Sequence, residues 1–398
     1  MAGGFKGIMP NKTRQLRSYN AAHWYIRCLI FWLAMPPLMA CTDDRQSSEL
    51  EKSEIASQAV QPIYRDIDDW LLACSNLRVC SVRSVNEDPA LAGEMAITRE
   101  PGPNGKVQLL ITRIGLEEGL DLRDLEIDGR PMAIPFNWQT PADSNSASLD
   151  QEQAVRFIKA VTSGHKFSFG RGDLRSSISL DGFARSIAGM DEAQGRAGTV
   201  TALIQTGERP ASAVPAAMAT PVLYAAPAQV PSDLGKQFAE HVRKAQSELL
   251  SKKECEVDQA QRADVAYALD DQTNLVMLGC YIGPYQASYL VFVAPKTTPE
   301  MAQILSLPKG PIRSGDYPET EGEFTEAQWD SRSSTLSTYE RGRGPGDCGE
   351  SLSWTYLGKG QWRLSEQHAL YRCGGGFREW PQLYKANVIV SETTLNMR

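Results

Sequence analysis

The chain of 398 residues lacks an apolar run long enough to cross a membrane. The longest candidate, Cys28 to Ala40, is interrupted by Pro36 and Pro37, and a spanning helix needs about 20 residues. Multispan membrane architectures are thereby excluded. Histidine is scarce, with four in the whole chain. No CxxC, HxxxH or CxxH spacing is present, so no zinc-type ligand set can be assembled. No GxSxG motif accompanies a histidine, which removes the readable form of a Ser-His triad. A basic excess is missing too: Lys and Arg number 41 against 48 Asp and Glu, for a formal charge of −7. A general nucleic-acid binder needs a basic surface to neutralise phosphates, so that class is excluded. What remains is 42% hydrophobic and 22% charged residues, with mean hydropathy −0.34. This is the balance of a soluble globular protein, and the length suits two domains or one large one.

Acidic residues are absent from residues 1–40, where Lys6, Lys12, Arg14, Arg17 and Arg27 precede the apolar stretch from Cys28 to Met35. Basic, apolar and small segments in that order form an export signal, whether the start is Met1 or Met9. The site Leu38-Met39-Ala40-Cys41 resembles the lipobox of bacterial lipoproteins, with Met39 in place of the usual small residue. The resemblance implies cleavage before Cys41 and lipidation of its thiol. Thr42 in the next position then implies an outer-membrane lipoprotein facing the periplasm. Plain secretion into the periplasm is the alternative.

Beyond Cys28 and Cys41, six cysteines remain, an even number in an oxidising compartment. Their local spacing predicts disulfides Cys74–Cys80, Cys255–Cys280 and Cys348–Cys373. By loop entropy the first adds about 2 kcal/mol and each of the others about 3.5 kcal/mol.

Residues 41–60 are mostly polar, too poor in apolar groups to fold, and are expected to form a flexible tether. Five prolines and eight alanines between Arg209 and Ser232 predict an unpaired linker. It separates an N-terminal region, 61–208, from a C-terminal one, 233–398. In the first, Trp70 to Val85 and the alternating runs Glu94 to Arg99 and Lys106 to Arg113 predict strands and a hairpin. Ser148-Leu149-Asp150-Gln151 has capping-box form, followed by Ala154, Val155, Ile158 and Val161 at helical spacing. A short strand from His165 to Phe169 and a helix carrying Phe183, Ile187 and Met190 come next. The C-terminal region opens with a helix from about Asp233 and continues as β-rich runs at Val265 to Leu269, Leu275 to Cys280 and Ala287 to Val293. The expected class is α+β: two β-rich, disulfide-bonded domains, mainly antiparallel, with a few helices.

Three blocks carry a family resemblance. They are Asp69-Trp70 with Cys74 and Cys80, the segment Met190 to Thr199 followed by Thr201-Ala202-Leu203, and Gly342 to Gly349 with Trp354. In this order they are similar to the proteobacterial envelope proteins catalogued as domain of unknown function 1176, over Tyr64 to Asn387. The first half also resembles the invasion-associated locus B proteins. The resemblance implies compartment and domain plan and supplies no mechanism.

Chemistry is therefore weighed residue by residue. Gly344-Pro345-Gly346-Asp347-Cys348-Gly349 fits GxGxxG, a phosphate cradle only where a strand turns into a helix. Here Ser351 to Tyr356 alternates like a strand, so a rigid glycine turn is expected, with Arg341, Arg343 and Asp347 in structural pairing. Asp191 and Gln194 share a helix face, and Glu192 and Arg196 have ion-pair spacing. A functional reading makes Asp191 a general acid or base and Arg196 an anion clamp; the structural reading has them close the helix. Trp354, Trp362 and Trp380 with Tyr356, Phe377 and Tyr384 favour core packing over a sugar-stacking groove. No cofactor or metal is expected. The preferred function is a non-catalytic envelope lipoprotein, anchored through Cys41, that binds or scaffolds an envelope protein or glycan. The alternative is a periplasmic hydrolase of glycan or peptide using Asp191, Asp347 or Glu350, which would have to converge in one cleft.

Overall fold

Strands, whose side chains point alternately to the two faces of a sheet, are the commonest regular element of the described structure. The computed structural model describes residues 60–85, 93–115, 120–141, 144–227, 235–256, 260–312, 320–374 and 379–390. The export signal, Cys41, the tether as far as residue 59, linker residues 228–232, the expected helix start at Asp233, and Phe377 lie outside them.

The first strands are β1 (Ile63–Ile67), β2 (Trp70–Cys74), β3 (Cys80–Ser84), β4 (Gly93–Arg99) and β5 (Val107–Arg113). Next come β6 (Glu126–Ile127), β7 (Arg130–Pro131) and β8 (Ser146–Leu149). Helix α1 (Gln151–Val161), β9 (Lys166–Phe169), β10 (Ser176–Ser179) and α2 (Phe183–Ala193) complete this half. Strands β1 to β5 and β8 form a six-stranded antiparallel sheet in that order, beside a smaller sheet ordered β10-β9-β6-β7. On one face of the larger sheet, Val82, Met95, Ile97, Leu109 and Ile111 pack against Phe157 and Ile158 of α1 and Ile187 and Met190 of α2. Burying each such side chain contributes about 1.5–3 kcal/mol. The cap of α1 is Asp150, whose carboxylate accepts the Gln153 N–H at 2.9 Å. Ser148 is not the cap, because it belongs to β8 and pairs with Leu110.

The second half adds β11 (Val222–Ala225), α3 (Gly235–Ala245), α4 (Ser247–Lys252), β12 (Val265–Ala268), β13 (Thr273–Ile282) and β14 (Ala287–Pro295). It continues with β15 (Gln303–Ile304), β16 (Glu323–Thr325), β17 (Gln328–Asp330) and β18 (Thr335–Arg341). The last strands are β19 (Gly349–Gly358), β20 (Gln361–Leu370), β21 (Gln382–Lys385) and β22 (Asn387–Val390). Strands β12 to β16 and β17 to β21 form two five-stranded antiparallel sheets. They share a core in which Leu275, Met277 and Val291 meet Leu336, Leu352 and Trp354. The protein is thus α+β and mainly antiparallel.

The Pro/Ala-rich stretch is not wholly unpaired: β11 pairs in parallel with β22. Val222 to Ala225 is a proline-free window, and Pro221, lacking only an N–H, still offers the carbonyl that accepts from Asn387 N at 2.7 Å. The halves also share a cluster in which Leu71, Ala73 and Val85 pack against Ala369, Leu370, Trp380 and Leu383. Around it, Asn76 N donates to the Leu383 carbonyl at 3.0 Å, and Lys385 N donates to Asn76 Oδ1 at 2.9 Å.

Cys74–Cys80 staples the β2–β3 hairpin, Cys255–Cys280 ties the segment after α4 to β13, and Cys348–Cys373 ties the start of β19 to the end of β20. Each bridge stays within one half. Peptide mapping of unreduced protein should return these three bridges and no free thiol among them; a bridge such as Cys80–Cys255 would contradict the structure.

Candidate functional site

Asp191, Gln194 and Arg196 sit together at the end of α2, wholly buried or nearly so. Asp191 pairs with Arg99 of β4 at 3.2 Å and accepts the backbone N–H groups of Leu203 and Ile204 at 2.9–3.0 Å. Gln194 donates to the carbonyls of Arg78 and Arg99, and Arg196 Nε donates to Gln194 Oε1 at 3.0 Å. Arg196 also reaches the Gly102 carbonyl in the β4–β5 turn. Burial, reinforced by the like charge of Arg196, pushes the Arg99 pKa down to about 10. The Glu192–Arg196 ion pair allowed by spacing is not formed. The helix ends at Ala193, Gly195 takes φ +69°, and Arg196 turns into the interior. The cluster is a clasp joining α2, the β4–β5 hairpin and the 199–204 loop.

The glycine turn is held by a second carboxylate. Asp347 takes both arms of Arg343, with Nε to Oδ1 at 2.8 Å, and accepts the Gly374 N–H at 2.9 Å. The Arg343 hydrogen bonds hold its carboxyl below the usual carboxylate range. Strand β19, not a helix, follows the turn. Gly349, at φ +147°, lies so close to the Glu340 carbonyl that a Cβ would stand 2.0 Å from it. The GxGxxG spacing therefore serves a turn into a strand, as its context predicts, and no helix N-terminus faces a phosphate.

Glu350 is buried in β19, accepting from Tyr371 Oη at 2.6 Å and Gln367 Nε2 at 2.8 Å. Burial pushes its carboxyl up. His165 faces Asp181 at 3.2 Å, His241 lies against the Gln237 carbonyl in α3, and His368 of β20 meets Glu366 at 2.9 Å. These histidines belong to separate elements. Among the described residues, no three His, Cys, Asp or Glu side chains are placed to hold a metal.

One large cleft, of about 1300 Å³, lies between the two halves. Its floor is the face of the six-stranded sheet turned away from α1 and α2. Arg83, Ala96, Leu110 and Ser148 stand side by side across β3, β4, β5 and β8. At strand spacings near 4.8 Å this row is about 14 Å wide. Thr98 with Gln108, and Thr112 with Ser146, flank it on either side. Its walls include Pro345 and Asp347 from the glycine turn, together with Glu379. Arg83 donates to the Ser81 hydroxyl and to the Glu379 carbonyl, and burial pushes its pKa down. Of Asp191, Asp347 and Glu350, only Asp347 lines the cleft. Sequence reading did not single out the floor, although alternation had already separated Thr98, Gln108 and Thr112 from Ile97, Leu109 and Ile111.

Arg83 and Glu379 also border an adjoining pocket of about 420 Å³. There the rings of Tyr339 and Trp380 stack with centroids 4.6 Å apart and planes 4° from parallel. His368 and Gln382 line it as well. Burial disfavours the charged His368, but hydrogen bonds to Glu366 and to the Trp380 carbonyl outweigh it and raise its pKa.

The profile of a family described as a protein of unknown function, DUF1176, matches residues 64–387, spanning both halves and the cleft. The chain belongs to this family. It is similar to the uncharacterized protein YpfG of Escherichia coli K12, with 27% identity over 330 residues, covering 81% of this chain and 93% of that protein. These comparisons do not show the expected likeness to the invasion-associated locus B proteins. No solved structure matches. In this DUF1176 protein the Met190–Thr199 block forms the buried clasp, whereas the Gly342–Gly349 block forms part of the cleft wall.

Asp191→Ala leaves Arg99 and two backbone N–H groups without their buried partner. It should cost about 3–5 kcal/mol in denaturant unfolding. Asp347→Asn keeps the shape and one acceptor oxygen and should cost about 1–2 kcal/mol at neutral pH. Because the folded carboxyl is held low, its contribution is present above the unfolded value of about 3.9 and is lost as pH falls through the folded value. The stability gap between parent and Asp347→Asn should therefore close under acid conditions; a gap that widened would refute the Arg343 pairing.

Proposed function

We propose that this protein is an outer-membrane lipoprotein, anchored through Cys41 and facing the periplasm, whose cleft binds an extended polar ligand of the envelope without chemically transforming it. The observation that carries the reading is the state of Asp347 and Asp150, two of the three carboxylates that line the cleft. Asp347 is held ionised by Arg343, and Asp150 is held low by the Gln153 N–H and side chain. A hydrolase acting on glycan or peptide needs a proton donor whose pKa is raised toward the working pH. The raised carboxyls, Asp66 and Glu350, are not among the cleft's lining residues, and Glu350 lies in a buried knot with Tyr371 and Gln367. The three disulfides support an oxidising, exported setting.

Anchoring is tested by Cys41→Ser, which should abolish acylation and either leave the precursor uncleaved or release a soluble form. Fractionation and mass spectrometry decide it: an unacylated parent and unchanged tight membrane association of the variant would sink the lipoprotein reading. The binding role is tested by incubating the full chain with peptidoglycan sacculi and with denatured envelope protein. Retention without released fragments is expected. Turnover that disappears in a fully folded Asp347→Asn protein would make the protein a hydrolase.

A further inference from the structure

The cleft floor gives a peptide backbone nothing to pair with. Strands β4 and β5 are hydrogen-bonded on both sides. The outer edge of β8 is closed by reciprocal bonds between Gln139 and Ser148, at 2.9 and 3.0 Å. An extended peptide adding itself as a strand needs an open edge, and this sheet face has none. What the floor offers is side-chain chemistry: the hydroxyls of Thr98, Thr112, Ser146 and Ser148 and the amide of Gln108, around an apolar centre of Ala96 and Leu110. Leu110 is 36% exposed, an aliphatic side chain kept open to solvent at the middle of that floor.

Charge narrows the occupant further. The ionisable side chains lining the cleft are Arg83, Lys106, Asp150, Asp347 and Glu379, so carboxylates outnumber cations. Such a lining selects against a polyanion. The volume of about 1300 Å³ exceeds the roughly 300–1,000 Å³ of an ordinary small-molecule site, which leaves room for an oligomeric ligand. At the Arg83–Glu379 border the cleft adjoins the pocket lined by Tyr339 and Trp380.

Resting on the binding reading above, we propose that the occupant is an uncharged glycan. Its chain lies across the Thr98–Gln108 and Thr112–Ser146 pairs with the apolar ring faces over Ala96 and Leu110. Hydroxyl and amide side chains satisfy the equatorial hydroxyls, and the aliphatic surface covers the C–H faces.

The full chain in detergent is titrated calorimetrically with chitohexaose, cellohexaose and maltohexaose, and in parallel with hexagalacturonate and an unstructured polypeptide. At least one neutral hexasaccharide should bind, and hexagalacturonate should bind more weakly. Leu110→Arg, at an exposed position, should leave thermal unfolding unchanged and weaken binding about tenfold or more. Failure of all three neutral hexasaccharides to bind, or equal binding by parent and Leu110→Arg, overturns the glycan assignment. If the polypeptide or hexagalacturonate binds instead and Leu110→Arg blocks it, the glycan assignment falls while the cleft remains a binding site. If Leu110→Arg alters the binding of no probe, both readings fall.

Discussion

The period-two alternation of the six-stranded sheet is the constraint on which the rest depends. One face of β2 to β5 and β8 is committed to the core beneath α1 and α2. The other face is divided. Next to β2, Leu71 and Ala73 are closed off by Ala369 and Leu383 of the second half, whereas from β3 outward Arg83, Thr98, Gln108, Leu110, Ser146 and Ser148 line the cleft. The cleft begins where apolar cover stops. A slip of one residue in β4 or β5 would turn Thr98 and Gln108 into the core and Ile97 and Leu109 toward water. Each polar group so buried without a partner would cost about 1–3 kcal/mol, which makes this register hard to misset. Cys74–Cys80, itself a registered pair of the β2–β3 hairpin, fixes the neighbouring ladder.

What could be read in advance was local. The alternating runs around Pro101 to Gly105 became β4 and β5. The spacing of Phe183, Ile187 and Met190 became the buried face of α2. Nearest-neighbour cysteines bridged, because their spacing matched a hairpin in one case and adjoining segments of one half in the others. What could not be read was assembled over distance. Arg196 lies four residues after Glu192, yet the helix stops between them and its guanidinium reaches carbonyls at residues 100 and 102. No spacing rule contains that contact. Likewise the floor residues occupy 83–148 and the wall residues 345–379, so neither segment alone signals a site. Strand β11 escaped because composition over 24 residues concealed a four-residue window without proline.

Charge is placed with a division of labour. In the interior, Asp191 faces Arg99, and Asp264 of the second half takes Arg243 at 2.5–2.6 Å. Each of these four buried ions has a partner, as the penalty for an uncompensated buried charge requires. At the cleft, Asp347 and Asp150 are stabilised in their ionised forms by donors from the protein itself. Groups so fixed give orientation and charge selectivity, and they are poor proton donors near neutral pH. The lining thus holds both of these carboxylates in their charged forms.

The glycine turn links fold to site. Its glycines allow the close approach of Gly349 to Glu340, and that freedom is then removed by Cys348–Cys373, by the fork of Arg343 on Asp347 and by the Gly374 N–H. A wall held this way needs little ordering when a ligand arrives, so little binding energy is lost to it. Its opposite surface, the floor, belongs to the other half, and the separation of the two is set by the shared cluster and the Asn76 bonds to Leu383 and Lys385. A ligand touching both surfaces must then stabilise the contact between the halves by the same free energy with which it prefers the assembled cleft. For such a ligand, binding and the packing of the two halves are one equilibrium.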